Sequence, residues 1–495
     1  MSYFKTSVKD IISKKQLPPD GQAMLRMFRA IGYTVEEALS DLIDNCIDAK
    51  STEALIEIGK NENGIQYIRV IDNGHGISPS ELEEAMGLGY KSRKGTDSLG
   101  LFGLGMKTAA FAIAGSLTVV SKTKKTKPVG ALWNEKNILD KKSDWSLAYL
   151  EETHCQKWFS ENGEKINIEK SGTIVQIEDI LSFNVALGNL DKTLNRVKKN
   201  IIDHIGLHFH RFLSSGKIKL FLSIVNLDDL DNSTPNMLIP PIDPMPKNSG
   251  SPNYPMDFKL DLDSNGTIPI KAYIWPKNSR DGEYKLNGAN DSQGFYWYRN
   301  DRLIDFGGYK TGKENEPHGS LGRAAIELDP KFDDLFGLTV GKDEILPPQI
   351  FKNNVFKNSI AKDGTKLSEW IKKADEEYRK VTDKTKLISI IPKDGFGNKK
   401  QQEELLKIFH KDGTEKAFVT CVEIKFDNDN LFEIDVENLK LKVNFYRFKK
   451  MSPESSRLLK LSLFINLQPF FLKERLSAKQ LEQMNNLQDT FKGLD

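Results

Sequence analysis

Apolar side chains recur at helical spacing over residues 22–31 and again over 35–50, where Leu42, Ile43, Cys46 and Ile47 share one side of the turn pattern. The period then changes. "IQYIRVIDNG" (65–74) reads as a strand running into a glycine turn, "SLTVVSKTKKTKPVGALW" (116–133) as a hairpin with a lysine-rich tip, and "SGTIVQIEDI" (171–180) as a further strand. Alternating helix and strand patterns predict a layered α/β unit over residues 1–185. From 186 a long helical pattern, "DKTLNRVKKNIIDHIGLHFHRFLSSG", leads into the strand "KIKLFLSIVN", which opens a second expected α/β unit over 186–360. Within it, residues 228–256 are rich in Pro, Asn, Asp and Ser and predict a surface excursion before strands resume at "FKLDL" and "IPIKAYIW". A charged helix, a break near "SIIPKDGFGNKKQ", and short helix and strand patterns predict a small α+β module over 361–495. No internal repeat is visible.

The polar side of the 35–50 helix is unusual. Asp41, Asp44, Asn45 and Asp48 stand at i, i+3, i+4 and i+7. Like charges one turn apart cost a helix roughly 0.2–0.5 kcal/mol per pair. Two readings are open: a solvated face, or a face turned toward a cation or cationic ligand.

Composition narrows the classes. Hydrophobic residues make up 38% and charged residues 28%, as in a globular protein, and no apolar run approaches the length that crosses a bilayer. The start of the sequence has no signal-peptide core, so a cytoplasmic protein without a membrane partner is expected. Cys46, Cys155 and Cys421 are widely spaced, which fits reduced thiols and not a zinc motif. A formal net charge of +2 means that any nucleic-acid surface is a local patch.

Two glycine motifs carry candidate chemistry. Asp72 precedes a Gly-x-Gly turn made by Gly74, His75 and Gly76. A buried carboxylate there can accept from an exocyclic amine while glycine lets backbone approach a flat ring, although Asp-Asn-Gly is also an ordinary turn. Farther on, Gly100, Gly103 and Gly105 open a stretch that turns helical at "MKTAAFAIA", with Lys107 in its first turn. Backbone N–H groups gathered at a helix start cradle phosphate. The preceding residues 91–98 are polar and basic and suit a flap over a ligand. The stretch is not a P-loop. An amide-bearing acidic helix for Mg²⁺, an Asp-Gly-x-Gly turn for a base and a glycine-rich helix start for phosphates together call for Mg²⁺ and ATP.

With "DLIDN", "DNGHG", "GLFGLGMK" and "GTIV" in this order, the sequence resembles the GHKL ATPase superfamily of gyrase, the heat-shock chaperone, histidine kinases and MutL. The resemblance implies a Bergerat-type α/β sandwich, a ribosomal-protein-like transducer domain after it, and ATP hydrolysis. It makes Asn45 the Mg²⁺ ligand, Asp72 the adenine acceptor beside Gly74, and Gly76 a close-packing glycine. Gly100, Gly103, Gly105 and Lys107 become phosphate contacts, and Thr173 a hydroxyl that supports Asp72. The hydrolytic branch usually carries Glu as general base where this chain has Asp41, one methylene shorter; Glu37 lies one further turn back. "GFYWYRNDRLI" is similar to the transducer strand and turn, and Lys342 in "FGLTVGKDEI" stands where relatives carry a lysine that reaches the γ-phosphate, though a lysine after a strand is also an ordinary loop residue. The transducer speaks against a histidine kinase. "SDLIDNCIDA" with "GLFGLGMKTA" is most similar to the MORC-like group, with bacterial members in defence systems. The implied activity is an ATP-dependent homodimerising clamp with DNA, or a nuclease or other effector protein, as partner; the alternative is a nucleotide-gated scaffold with little hydrolysis.

Other features point elsewhere. His204 and His208 have metal-pair spacing without an acidic partner, "SKTKKTKP" reads as a solvated turn or a phosphate-backbone contact, and "FYWYR" reads as a strand with a buried face.

Overall fold

The computed structural model describes residues 20–87, 98–99, 105–139, 146–163, 165–181, 190–262, 265–286, 288–338, 344–380, 388–410, 415–427, 430–436, 438–471 and 478–492. The chain divides into two compact units, 1–379 and 380–495.

The first unit holds two sheets. The larger comprises β1 (Glu53–Asn61), β2 (Gly64–Asp72), β3 (Ala114–Lys122), β4 (Val129–Asn134), β5 (Ala148–Tyr149), β6 (Gly172–Ile180), β7 (Lys219–Asn226) and β8 (Met237–Leu238), in the order β5-β4-β3-β6-β2-β1-β7-β8. All neighbours are antiparallel except β1 and β7. Helices α1 (Gly21–Ala30), α2 (Val35–Asp48), α3 (Pro79–Met86) and α4 (Gly105–Ile113) belong to this layer. Strand alternation divides the sheet's two faces: Ala54, Ile56, Ile58, Ile68 and Val70 join the helical core with Leu39, Ile43 and Phe111, while Leu55, Ile71, Val120 and Ile174 pack against Cys155 and Phe159 of the Glu152–Gly163 helix. Both faces are therefore covered at the centre.

The second sheet comprises β9 (Met256–Asp261), β10 (Thr267–Ile274), β11 (Gly294–Arg299), β12 (Arg302–Phe306), β13 (Gly322–Leu328) and β14 (Ser359–Ala361), in the order β12-β11-β13-β10-β9-β14. Every residue of β11 is buried. Phe295 and Trp297 face a core with Phe351 and Trp370, whereas Tyr296 and Tyr298 pack with Leu207 and Met245 on the other face.

The layered α/β expectation holds, but the elements do not divide at 185 and 360. Strand β7, expected to open the second unit, pairs with β1 in the first sheet. The Leu190–His208 helix serves both: Leu194, Val197, Ile201 and Ile205 enter the first core, and Leu207 enters the second. The Leu367–Arg379 helix, placed beyond 360 with the last module, packs Leu367, Trp370 and Ala374 into the six-stranded sheet's core. The physical reason is the same throughout. Periodicity identifies an element's apolar face without naming the sheet that covers it.

The unit from 380 holds β15 (Ile388–Pro392), β16 (Glu415–Ile424), β17 (Phe432–Asp435) and β18 (Lys440–Asn444), in the order β15-β16-β18-β17, over its own core with Leu463, Phe464 and Leu467. No helix among the described residues is long and apolar enough to cross a membrane.

Candidate functional site

The start of α2 is fixed by its own side chains. Thr34 Oγ1 accepts from Glu37 N–H at 3.3 Å, and Glu37 Oε2 accepts from Thr34 N–H at 2.8 Å. Glu37 is thereby spent on the cap. Asp41 is 2% exposed and accepts from the Tyr33 hydroxyl at 3.1 Å. Gly105, the first residue of α4, lies against it: a Cβ there would stand 3.4 Å from Asp41 Oδ2. Asn45 donates Nδ2–H to the Asp41 carbonyl at 3.0 Å, which leaves its amide oxygen as the acceptor, the kind of atom a hard cation takes.

The acidic stripe divides. Asp44, 1% exposed, pairs with Arg302 Nε at 2.9 Å, so a cation that balances the stripe is the protein's own. Asp48 accepts from Ser98 Oγ at 2.6 Å and from Leu99 N–H at 2.8 Å. Neither Arg302 nor Ser98 is visible as a partner in the linear pattern; the signal is the arginine of "NDRLI" beside a strand turn.

At the end of β2, Asp72 Oδ1 accepts from Ser51 Oγ and from Gly74 N–H, both at 2.8 Å. Burial pushes the Asp72 carboxyl up to about 6, opposed by those two bonds, by His75 and by the Cys46 thiol. Cys46, on the core side of α2, is pushed well above its ordinary value by burial and then by the Asp72 charge. Ser51 carries no motif or periodic signal in the sequence. Lys50 takes a left-handed φ of 57° just past α2, and the hydroxyl next along the chain bonds the strand end. Gly76 has φ 74°, and a Cβ there would overlap the Lys122 carbonyl oxygen; a Cβ on Gly74 would stand 2.7 Å from both Ala49 Cβ and Ser51 Oγ. Both glycines are demanded by close backbone packing.

Thr173 lies opposite Asp72 in the β2–β6 register, but its hydroxyl partner is Ser121 Oγ at 2.9 Å. Ser121 also accepts from Ile77 N–H at 2.8 Å and donates to the Gly172 carbonyl at 3.0 Å, which ties the loop after Gly76 to β6. Ser51 is the hydroxyl that holds Asp72 directly. Lys107 is 3% exposed and donates to the Ala85 carbonyl in the last turn of α3 at 2.8 Å. Gly100, Gly103, Lys342 and residues 91–97 lie outside the described residues.

The donor set suits Mg²⁺ and ATP. It offers a buried acceptor at one end, an amide oxygen beside a carboxylate at the other, and a helix N-terminus against that carboxylate.

A family model described as "Histidine kinase-, DNA gyrase B-, and HSP90-like ATPase" matches residues 33–173, the span from Tyr33 to Thr173 that carries these side chains. Residues 33–173 are a GHKL ATPase domain. The DNA mismatch repair protein MutL of Shouchella clausii (strain KSM-K16) is 44% identical over 71 residues, 14% of this chain and 11% of that protein. Protein MICRORCHIDIA 6 of Arabidopsis thaliana is 27% identical over 141 residues, 26% of this chain and 21% of that protein. The chain thus spans a small part of the length of the relatives it matches. A solved structure, "Crystal Structure of N terminal domain of a DNA repair protein", covers 74% of this chain and 99% of its own at 17% identity and a TM-score of 0.41, a likeness too loose to carry detail.

The histidines of "HIGLHFHRF" lie outside the GHKL domain. His208 Nδ1 bonds the Leu303 carbonyl and His210 Nδ1 the Leu207 carbonyl, each at 2.7 Å, while His204 stacks on His208 at 4.1 Å between ring centroids. Burial pulls all three below their ordinary range, His208 to about 3.

Proposed function

We propose that this chain binds ATP with Mg²⁺ in the GHKL domain and hydrolyses it slowly, using the nucleotide to switch the pairing of two copies. The observation that carries this reading is the placement of Asp41 and Asn45 on one turn of α2 against the start of α4, with buried Asp72 held by Ser51 and Gly74 at the opposite end. Asp72 accepts the adenine amine, and Gly74 and Gly76 keep the turn tight beside the ring. Asn45 offers its amide oxygen to Mg²⁺, which screens phosphate charge when bound. Gly105 and the other N–H groups at the start of α4 face the phosphates, with Lys107 adding positive charge beneath; Gly100, Gly103 and Lys342 complete that side by resemblance. Thr173, bonded to Ser121, helps tie the loop after Gly76 to β6 and so supports the turn beside the ring, not the Asp72 carboxylate itself.

Hydrolysis then needs a water oriented in line with the γ-phosphorus. Asp41, held by Tyr33, takes that water's proton. Its shorter side chain is the reason to expect slow turnover. MutL is named as a DNA mismatch repair protein, and on that likeness the client is DNA, in a clamp that closes with ATP, with defence against foreign DNA among the settings the MORC-like resemblance suggests.

Steady-state ATP hydrolysis with Mg²⁺, alongside nucleotide binding, tests this for wild type, Asp41→Asn and Asp72→Asn. Wild type is expected to turn over, Asp41→Asn to bind ATP but lose at least about 100-fold in kcat, and Asp72→Asn to fail to bind. Binding without turnover by wild type, even with DNA present, would instead make the chain a nucleotide-gated scaffold that regulates an effector, a reading favoured by Asp at position 41.

A further inference from the structure

Arg302 and Asp44 form an ion pair sealed from water at both ends, 3% and 1% exposed, between β12 of the six-stranded sheet and the middle of α2. The guanidinium also lies 5.4 Å from the Phe209 ring centroid. The β11–β12 hairpin reaches α2 a second time. Arg299, held by Asp333 at 2.8 Å, donates Nη1–H to the Ser98 carbonyl at 2.9 Å, and Ser98 and Leu99 bond Asp48. Two carboxylates one turn apart on α2 are thus gripped from one hairpin, Asp44 directly and Asp48 through Ser98.

A buried ion pair is a poor source of stability, because desolvating two charges offsets most of their attraction; what it supplies is a single geometry. Here the geometry matters, since Asp44 shares a helix face with Asp41, one turn before it, and adjoins Asn45 in the chain. A small rotation of α2 about its axis carries the Asp41 carboxylate away from Gly105 and turns the Asn45 oxygen. We infer that Arg302 is a positioning residue for hydrolysis, which sets the rotation of α2 from the second sheet and so couples the placement of that sheet to the alignment of Asp41 and Asn45. The inference rests on the ATPase reading and adds to it a named route from the second sheet into the site.

The test removes both charges at once, so that no buried charge is left unpaired. The Asp44→Leu/Arg302→Met double variant keeps volume and apolar packing. The Asp44→Asn/Arg302→Gln double variant keeps uncharged polar groups of similar size at both positions and serves if the first does not fold. ATP affinity and KM are expected to stay within about threefold of wild type while kcat falls about tenfold or more, with Arg302→Lys recovering part of the loss. A double variant with wild-type kcat, whatever its thermal midpoint, overturns the positioning role and leaves the ATPase reading standing. Wild type without turnover overturns the ATPase reading, and the positioning role with it.

Discussion

Asp72 shows what one buried carboxylate costs and does. Its carboxyl is pushed from an ordinary 3.8 up to about 6, chiefly by burial. A folded pKa above the unfolded one means that the native state holds the proton more tightly. The ionised group therefore costs the fold stability as pH rises from about 4 to about 6, and roughly 3 kcal/mol above that. Asp72→Asn is accordingly expected to melt higher than the ligand-free wild type at pH 8 and alike near pH 4, by calorimetry. Binding runs the other way, because only the ionised form is purely an acceptor for an amine. Titration calorimetry between pH 5 and pH 8 is expected to show ATP affinity about tenfold weaker at pH 5 than on the plateau. A flat profile would remove Asp72 as the adenine contact. Asp72 itself is legible in sequence from the glycine turn that follows it. Ser51 and Ser121 are not, because a small hydroxyl has no periodic signature and gains its role only when β2, β3 and β6 bring it beside its partner.

At the scale of the element, α2 is the part of the site that sequence reads best. Its helical period, its acidic stripe and the Asp41/Asn45 pair are all visible in residues 35–50, and the structure forms the helix with Asp41 and Asn45 on adjoining positions of one turn. What the stripe faces was not legible. Asp44 is balanced by a residue on a different sheet, and a nonlocal partner leaves no mark on local spacing. The same limit applies to β7, whose strand pattern is plain while its pairing is with β1, far back in the chain. The start of α2 can be loosened without touching the site. Thr34→Ala removes the cap acceptor and is expected to cost about 1 kcal/mol in chemical denaturation with nucleotide affinity unchanged. A much larger loss would mean that the Thr34–Glu37 pair also carries the turn around Tyr33.

At the scale of the whole molecule, cooperativity should follow the cores. One set of apolar side chains belongs to the unit from 380, where Phe396, Val419, Leu441, Leu463 and Phe464 meet in a core of their own. The first unit's sheets cannot be separated in the same way, since the Leu190–His208 helix contributes to both cores and the Asp44–Arg302 pair would be left broken. Unfolding is therefore expected in two steps, one for 1–379 and one for 380–495. Nucleotide distinguishes them. A ligand that binds only the native form adds about 2.7 kcal/mol at one hundred times its Kd, and the site residues from Asp41 to Thr173 all lie in the first unit, so Mg²⁺ with ATP should raise the first unit's transition and leave the other in place. Calorimetry of the full chain, with residues 1–379 and 380–495 also prepared separately to assign the steps, measures this. If ATP moves both transitions together, the nucleotide is sensed beyond the first unit, and the role of residues 380–495 has to be sought in the ATP cycle itself and not in binding a client.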